Sequence, residues 1–273
     1  MNLLEVRNVT KTFGSLVAVS GVSLSVAPGE LRAVIGPNGA GKTTFFNLIS
    51  GFFPPSAGEI AFDGKDVTAL PPYRRVEIGM ARTFQITEIF PELTVRENVR
   101  IAAEVAAGYR LRPWIRPHHA AALNQRVDEV LELAGLAGKA QRLVGELAHG
   151  DQRVAEIAMA LALKPRLLLL DEPTAGMGDQ ETQEITALIR RLHKDSRYTV
   201  VLIEHDMQVV FHLADRITVL DQGRLLAEGV PQEIADNDAV QAAYLGMKGG
   251  FSFMVFRFAI EPKTKNEKPR TIL

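Results

Sequence analysis

Residues Gly36-Pro37-Asn38-Gly39-Ala40-Gly41-Lys42-Thr43 constrain this chain more than any other stretch. They fit the pattern Gly, any four residues, Gly-Lys-Ser/Thr. Small residues at these positions let successive backbone N–H groups curl into an anion nest. The helix that follows turns its unpaired N-terminal N–H groups and positive dipole end toward the same anion. Glu30 to Ile35 reads as the strand entering the loop. Thr44 to Ile49 reads as the helix leaving it, with Gly51 as C-cap. Lys42 is expected to reach the terminal phosphates of a nucleotide, and the Thr43 hydroxyl to ligate Mg²⁺. The loop alone leaves open which nucleotide is bound and what work follows.

Bulk composition narrows the remainder. The 273 residues, 47% of them hydrophobic, suffice for one large core or two small ones. Lys and Arg total 31 against 32 Asp and Glu, a net charge of −1 that gives no support to charge-driven nucleic-acid binding. There are no cysteines, which excludes disulfides and thiolate-held metals. The N-terminus lacks a signal-peptide pattern. No apolar run approaches the roughly 20 residues of a membrane span. A cytoplasmic protein is expected, held at any membrane by another chain.

Along the chain, residues 3–9 and 22–26 alternate as strands and feed the phosphate loop. Phe13 falls between these first two strands, and its position alone favours core. Glu59 to Phe62 is a short strand ending at the turn Asp63-Gly64. From about 86 to 164 the pattern is helical, with Thr94 and Glu97 spaced as a capping box. Residues 109–119 mix Arg, His and Trp114 and read as an exposed loop. His118 and His119 make a poor metal site because adjacent helical side chains diverge. The turn at 145–153 opens a helix predicted from Val154 to Leu163, a second possible phosphate contact.

Leu167 to Leu170 predicts a buried parallel strand ending in Asp171 and Glu172, at the edge where α/β sheets bind ligands. In a phosphate-loop enzyme an Asp here serves Mg²⁺, and a Glu after it can orient or deprotonate the attacking water. A second buried strand, 198–203, delivers His205 to the same edge. Residues 217–226 form a closing hairpin around Asp221-Gln222-Gly223. The last 25 residues, 249–273, are an apolar then basic tail, read either as packed on the domain, as disordered or as an amphipathic anchor.

In order and approximate spacing, the phosphate loop, Gln85, the turn at 147–151, Asp171-Glu172 and His205 resemble the ATP-binding subunit of an ABC transporter. The resemblance covers about residues 3–247. It implies an α/β phosphate-loop (RecA-like) NTPase core with an antiparallel β-subdomain, over 1–85 and 165–248. It also implies an inserted α-helical subdomain over 86–164 that carries the signature turn. ATP and Mg²⁺ are the implied cofactors, with nucleotide contacts from Gly36, Pro37, Asn38, Gly39, Ala40, Gly41, Lys42, Thr43 and Thr44. Phe13 matches the aromatic that stacks on adenine. Gln85 would join Thr43 and Asp171 at the metal and sense the membrane partner. Glu172 would be the catalytic base, and His205 would contact the γ-phosphate. Ala148, His149, Gly150 and Asp151 would cap the nucleotide of a second subunit in a head-to-tail sandwich.

Two departures stand out. The family signature Leu-Ser-Gly-Gly-Gln reads Leu147-Ala148-His149-Gly150-Asp151 here, so a hydroxyl is missing while backbone N–H contacts from Gly150 can persist. The family's Ser-Ala-Leu-Asp loop reads Ala175-Gly176-Met177-Gly178, with Asp179 one residue late. Details such as Ala81 to Gln85 and His149 to Arg153 are most similar to ATPases of branched-chain (hydrophobic) amino-acid importers. Those imply a second ATPase subunit, two membrane permeases and a periplasmic solute-binding protein as partners, and no nucleic acid. Importers of urea or short amides, exporters of lipid or lipopolysaccharide, and soluble ATP-driven switches of the same family stay open as alternatives.

Overall fold

The protein is described from a computed structural model covering residues 1–83, 89–109, 117–194 and 198–244. In chain order, β1 (Leu4–Phe13), β2 (Leu16–Val26) and β3 (Leu31–Ile35) lead through the phosphate loop into α1 (Lys42–Ser50). Next come β4 (Ala57–Phe62), β5 (Lys65–Asp66), α2 (Pro72–Glu77) and β6 (Met80–Arg82). Three helices follow: α3 (Val95–Ala106), α4 (Pro117–Ala134) and α5 (His149–Ala162). The chain then alternates β7 (Leu167–Asp171), α6 (Asp179–Lys194), β8 (Thr199–Ile203) and α7 (Met207–Leu213). It closes with β9 (Arg216–Asp221), β10 (Arg224–Gly229), α8 (Pro231–Ala235) and α9 (Asp238–Tyr244).

Two sheets result. One is antiparallel, in the order β2-β1-β4-β5. The other runs β10-β9-β3-β8-β7-β6 and is parallel except for its edge strand β10. The central strands are buried along their whole length, as a parallel sheet covered on both faces requires. Their side chains alternate between two cores. Val34, Leu169 and Val201 face α1 and the antiparallel sheet, together with Phe45, Phe46 and Ile60. Ala33, Leu168, Leu170 and Val200 face α3 to α6. The expected α/β phosphate-loop architecture is therefore present, and α1 lies between the two sheets.

Several elements run longer than their sequence patterns suggested. β1 extends to Phe13 because it pairs with β2 up to Phe13 and Leu16. α5 begins at His149, five residues before the predicted start, so His149 to Arg153 are its first turns rather than a loop. Its N-cap, Ala148, makes no side-chain cap bond. The capping box at Thr94 and Glu97 forms as expected, with each side chain bonded to the other's backbone N–H. Gln85, most of the 109–119 loop and the tail 249–273 lie outside the described residues. Among the described residues no helix is long and apolar enough to cross a membrane.

A buried arginine fastens α1 in place. Arg75 of α2 donates to five backbone carbonyls: Leu48 and Ile49 at the end of α1, and Val67, Thr68 and Leu70 on the connection before α2. Burial brings its guanidinium down to about 10. Those carbonyls include groups at the open end of α1 that have no partner within the helix. Arg75→Met is therefore expected to lower unfolding free energy by about 3 kcal/mol or more, read by urea denaturation. An unchanged midpoint would show that water replaces the guanidinium.

Candidate functional site

The phosphate loop takes backbone angles that favour glycine. Gly39 and Gly41 sit at φ 80° and 93°, in the left-handed region. At Gly36 and Gly41 space is limiting as well. A Cβ on Gly36 would lie 2.1 Å from the Leu220 carbonyl oxygen, and one on Gly41 would lie 2.5 Å from that of Ala18. α1 then starts with no acidic residue in its first turn and no side-chain cap, which leaves its N-terminal dipole uncompensated. Lys42 lies back across the loop and donates to the carbonyls of Gly36 (2.7 Å) and Pro37 (2.9 Å). Burial pushes its ammonium below the usual range, and the carboxylates of Glu172 and Asp171 pull it back up. A cleft of about 570 Å³ opens here, lined by residues 38–44, Glu172, His205 and the apolar start of β2.

β8 lies between β3 and β7, so all three strand ends meet at one edge. Asp171, 1% exposed, ends β7. Its Oδ2 accepts from Arg82 Nη2 at 2.7 Å, while Oδ1 is buried with no partner among the described residues. Burial raises this carboxyl above the usual range, Arg82 lowers it, and Glu172 adds a smaller upward push. Glu172 adopts φ 48°, an uncommon left-handed conformation for a residue with a side chain. Its N–H donates to the Ile203 carbonyl, and its Oε1 lies 2.7 Å from His205 Nε2. Glu204, buried beside them, completes the turn. Its Oε1 accepts from the N–H and hydroxyl of Thr174, and its Oε2 from the His205 N–H.

These residues fit a hard, oxygen-seeking cation. Asp171 Oδ1 is an unsatisfied buried acceptor, and Thr43 lines the adjoining cleft. Mg²⁺ is bound by one or two such oxygens together with phosphate and water rather than by a protein cage.

The signature residues are placed elsewhere. Ala148 to Asp151 do not line the cleft. The Gly150 N–H, expected to be available to a phosphate, donates to Glu181 Oε1 at 3.0 Å. The other oxygen of Glu181 accepts from the Gly178 N–H at 3.3 Å. A carboxylate from the first turn of α6 thus lies at the positive end of α5. Asp151 is held by Lys139, whose ammonium lies 2.6 Å from both its oxygens. Phe13 also lies outside the cleft lining. It is 43% exposed and packs edge-to-face on Phe53 with ring centres 5.5 Å apart.

Sequence reasoning missed Arg82, Arg153, Glu181 and Glu204. Arg153 of α5 donates to the carbonyls of Asp171 (2.6 Å) and Glu172 (3.2 Å), and so joins the signature helix to the acidic pair. Arg153 stood at the end of the turn before the predicted helix, where nothing in the local pattern singled it out. Glu204 adjoined a suspected site residue, and Arg82 stood in a stretch read only as leading to Gln85.

The family profile described as ABC transporter matches residues 19–175. The chain belongs to the ABC transporter family. A second profile, described as branched-chain amino acid ATP-binding cassette transporter, matches residues 224–246 of this ABC protein. It is 42% identical over 250 residues to the high-affinity branched-chain amino acid transport ATP-binding protein BraF of Pseudomonas aeruginosa, across 89% of this chain and 98% of that one. Among solved structures it resembles the ADP conformation of the ATP-binding cassette MJ1267. The identity there is 29% and the TM-score 0.80, over 90% of this chain and all of that one. It also resembles the dimeric post-hydrolysis state of the cassette MJ0796 bound to ADP and phosphate. That match has 28% identity and a TM-score of 0.70, over 84% and 98% of the two chains. Nucleotide binding is thus a property of the family to which this ABC cassette belongs.

Gly36→Ala forces the loop away from Leu220, an overpacking cost of about 1–3 kcal/mol. It is expected to weaken binding of a fluorescent ATP analogue about tenfold while far-UV circular dichroism is retained. An unchanged dissociation constant would show that the loop's close approach to β9 is not required.

Proposed function

We propose that this chain is the ATP-hydrolysing subunit of an importer for branched-chain or other hydrophobic amino acids. The observation that carries the chemistry is the contact of Glu172 with His205 at the cleft formed by the phosphate loop. The transport assignment is supported by the likeness to BraF and by the match over residues 224–246.

In this reading, ATP enters with its phosphates on the N–H groups of residues 36–44 and its base near Phe13. Lys42 exchanges the carbonyls of Gly36 and Pro37 for the β- and γ-phosphates. Glu172 takes the proton of the attacking water as its oxygen bonds to the γ-phosphorus, and the bridging oxygen leaves with ADP. His205 holds the Glu172 carboxylate in place and donates to the γ-phosphate. Mg²⁺, held by Thr43, Asp171 and Gln85, would supply charge neutralisation of the phosphates.

The helical segment 86–164 would act as the arm that presents Ala148 to Asp151 to the nucleotide of a second ATPase subunit, identical or different. The MJ0796 dimer supports such a pairing. Closure then requires Glu181 to release the Gly150 N–H, an exchange of one anion for another. With no spanning helix among the described residues, the solute path belongs to two permease subunits, reached from outside by a solute-binding protein. The chain would sit peripherally on the cytoplasmic face of the membrane.

Glu172→Gln is expected to cut turnover at least about 100-fold, the usual worth of a general base, and to trap an ATP-bound dimer on size exclusion with light scattering. Wild-type turnover in this variant would sink the assignment of the base. In the Glu172→Gln background, Glu181→Ala should lower the ATP concentration for half-maximal dimerisation about two- to fivefold. No shift would show that the carboxylate does not compete with phosphate. Removing the chain from its native cell should abolish high-affinity uptake of labelled leucine, isoleucine and valine, whereas unchanged uptake would overturn the solute assignment.

A further inference from the structure

Arg82 joins three elements that meet at the site. It ends β6, and its side chain is 8% exposed. One guanidinium nitrogen, Nη2, donates to Asp171 Oδ2 at 2.7 Å. The other, Nη1, donates to Asn47 Oδ1 at 2.6 Å and Ser50 Oγ at 2.8 Å. Both of those acceptors lie on α1, the helix that begins with Lys42 and Thr43. The guanidinium carbon also lies 5.8 Å from the centre of the Phe46 ring on the same helix.

We infer that Arg82 is a positioning residue for the metal-side carboxylate: it engages one oxygen of Asp171, leaves the other for the cation, and ties that carboxylate to the helix bearing Thr43. The inference rests on the reading of Asp171 as a Mg²⁺-side residue. A buried carboxylate can turn about its side-chain bonds, and one charge-assisted hydrogen bond to a rigid donor fixes which oxygen is left over. In Asp171 the oxygen left over is Oδ1, which is buried with no partner among the described residues. The donor is rigid because its second nitrogen is held twice by α1. A planar guanidinium can bridge acceptors on two elements at fixed spacing, which an ammonium cannot do. Arg82 also places a positive charge beside two adjacent carboxylates at the end of an apolar strand.

The test is a Mg²⁺ titration of fluorescent ATP-analogue binding by the full-length chain, each variant normalised to its own affinity in EDTA. Asp171→Asn is the reference and should raise the half-saturating Mg²⁺ concentration. Arg82→Met should raise it about tenfold or more, the usual effect of removing the group that orients a metal ligand. Arg82→Lys, which keeps the charge but loses the bridge, should fall between Arg82→Met and wild type. Should Arg82→Met fail to fold, Ser50→Ala combined with Asn47→Ala removes the α1 anchor alone and should still raise the Mg²⁺ requirement. If Asp171→Asn raises it and the Arg82 and α1 variants leave it unchanged, Arg82 is only a fold staple and the inference is wrong. If Asp171→Asn itself has no effect, the reading of Asp171 fails and this inference falls with it.

Discussion

Two carboxylates leave the end of β7, one buried and one lining the cleft, and the site around them answers that electrostatic demand. Asp171 is buried and meets Arg82 from β6. Glu172 meets His205 from the end of β8. The carbonyls of both residues are held by Arg153 from α5. Burial of the Asp171 charge without a partner would cost several kcal/mol, so Arg82 is an obligatory part of the fold. Because they come from different elements, the demand at β7 joins the parallel sheet, α1 and the helical segment into one unit.

Strand order makes this possible. β8 lies between β3 and β7, so the phosphate loop, the acidic pair and His205 leave the sheet side by side. The alternation of buried side chains along the same strands feeds two cores, one against α1 and one against α3 to α6. The edge that carries the cleft is therefore supported from both faces of the sheet. The signature residues, by contrast, belong to α5 and are engaged by Lys139 and Glu181. In the proposed sandwich the cassette would supply half of each site, and here the Gly150 N–H and the Asp151 carboxylate are paired within the chain.

How much was legible in the sequence depended on how local the physics was. The phosphate loop was readable because its requirement, glycine at left-handed or crowded positions before a helix, spans eight neighbouring residues. Asp171 and Glu172 were readable because an apolar run ending in charge marks a strand edge. The start of α5 was misjudged because His149 to Arg153 lack apolar periodicity. Their helical state comes from packing and from bonds such as Gly150 to Glu181, across 31 residues. Arg82 and Asp171 are 89 residues apart, and no local pattern relates them. The Phe13 ring rests on Phe53, a contact set by how β1 approaches the loop after α1, which no local pattern could show.

The sequence by itself determined the family, the phosphate loop, the acidic strand end and the strand that delivers His205. Each of these depends on residue type at short spacing, which backbone sterics and side-chain alternation translate directly into local structure. Only the tertiary structure decided which charge answers which. Arg82 rather than Lys42 bonds Asp171, Glu204 closes the turn after Glu172, and Glu181 holds the Gly150 N–H. Those choices depend on which strands lie side by side and which helix ends point at them, and such proximity exists only once the cores have packed.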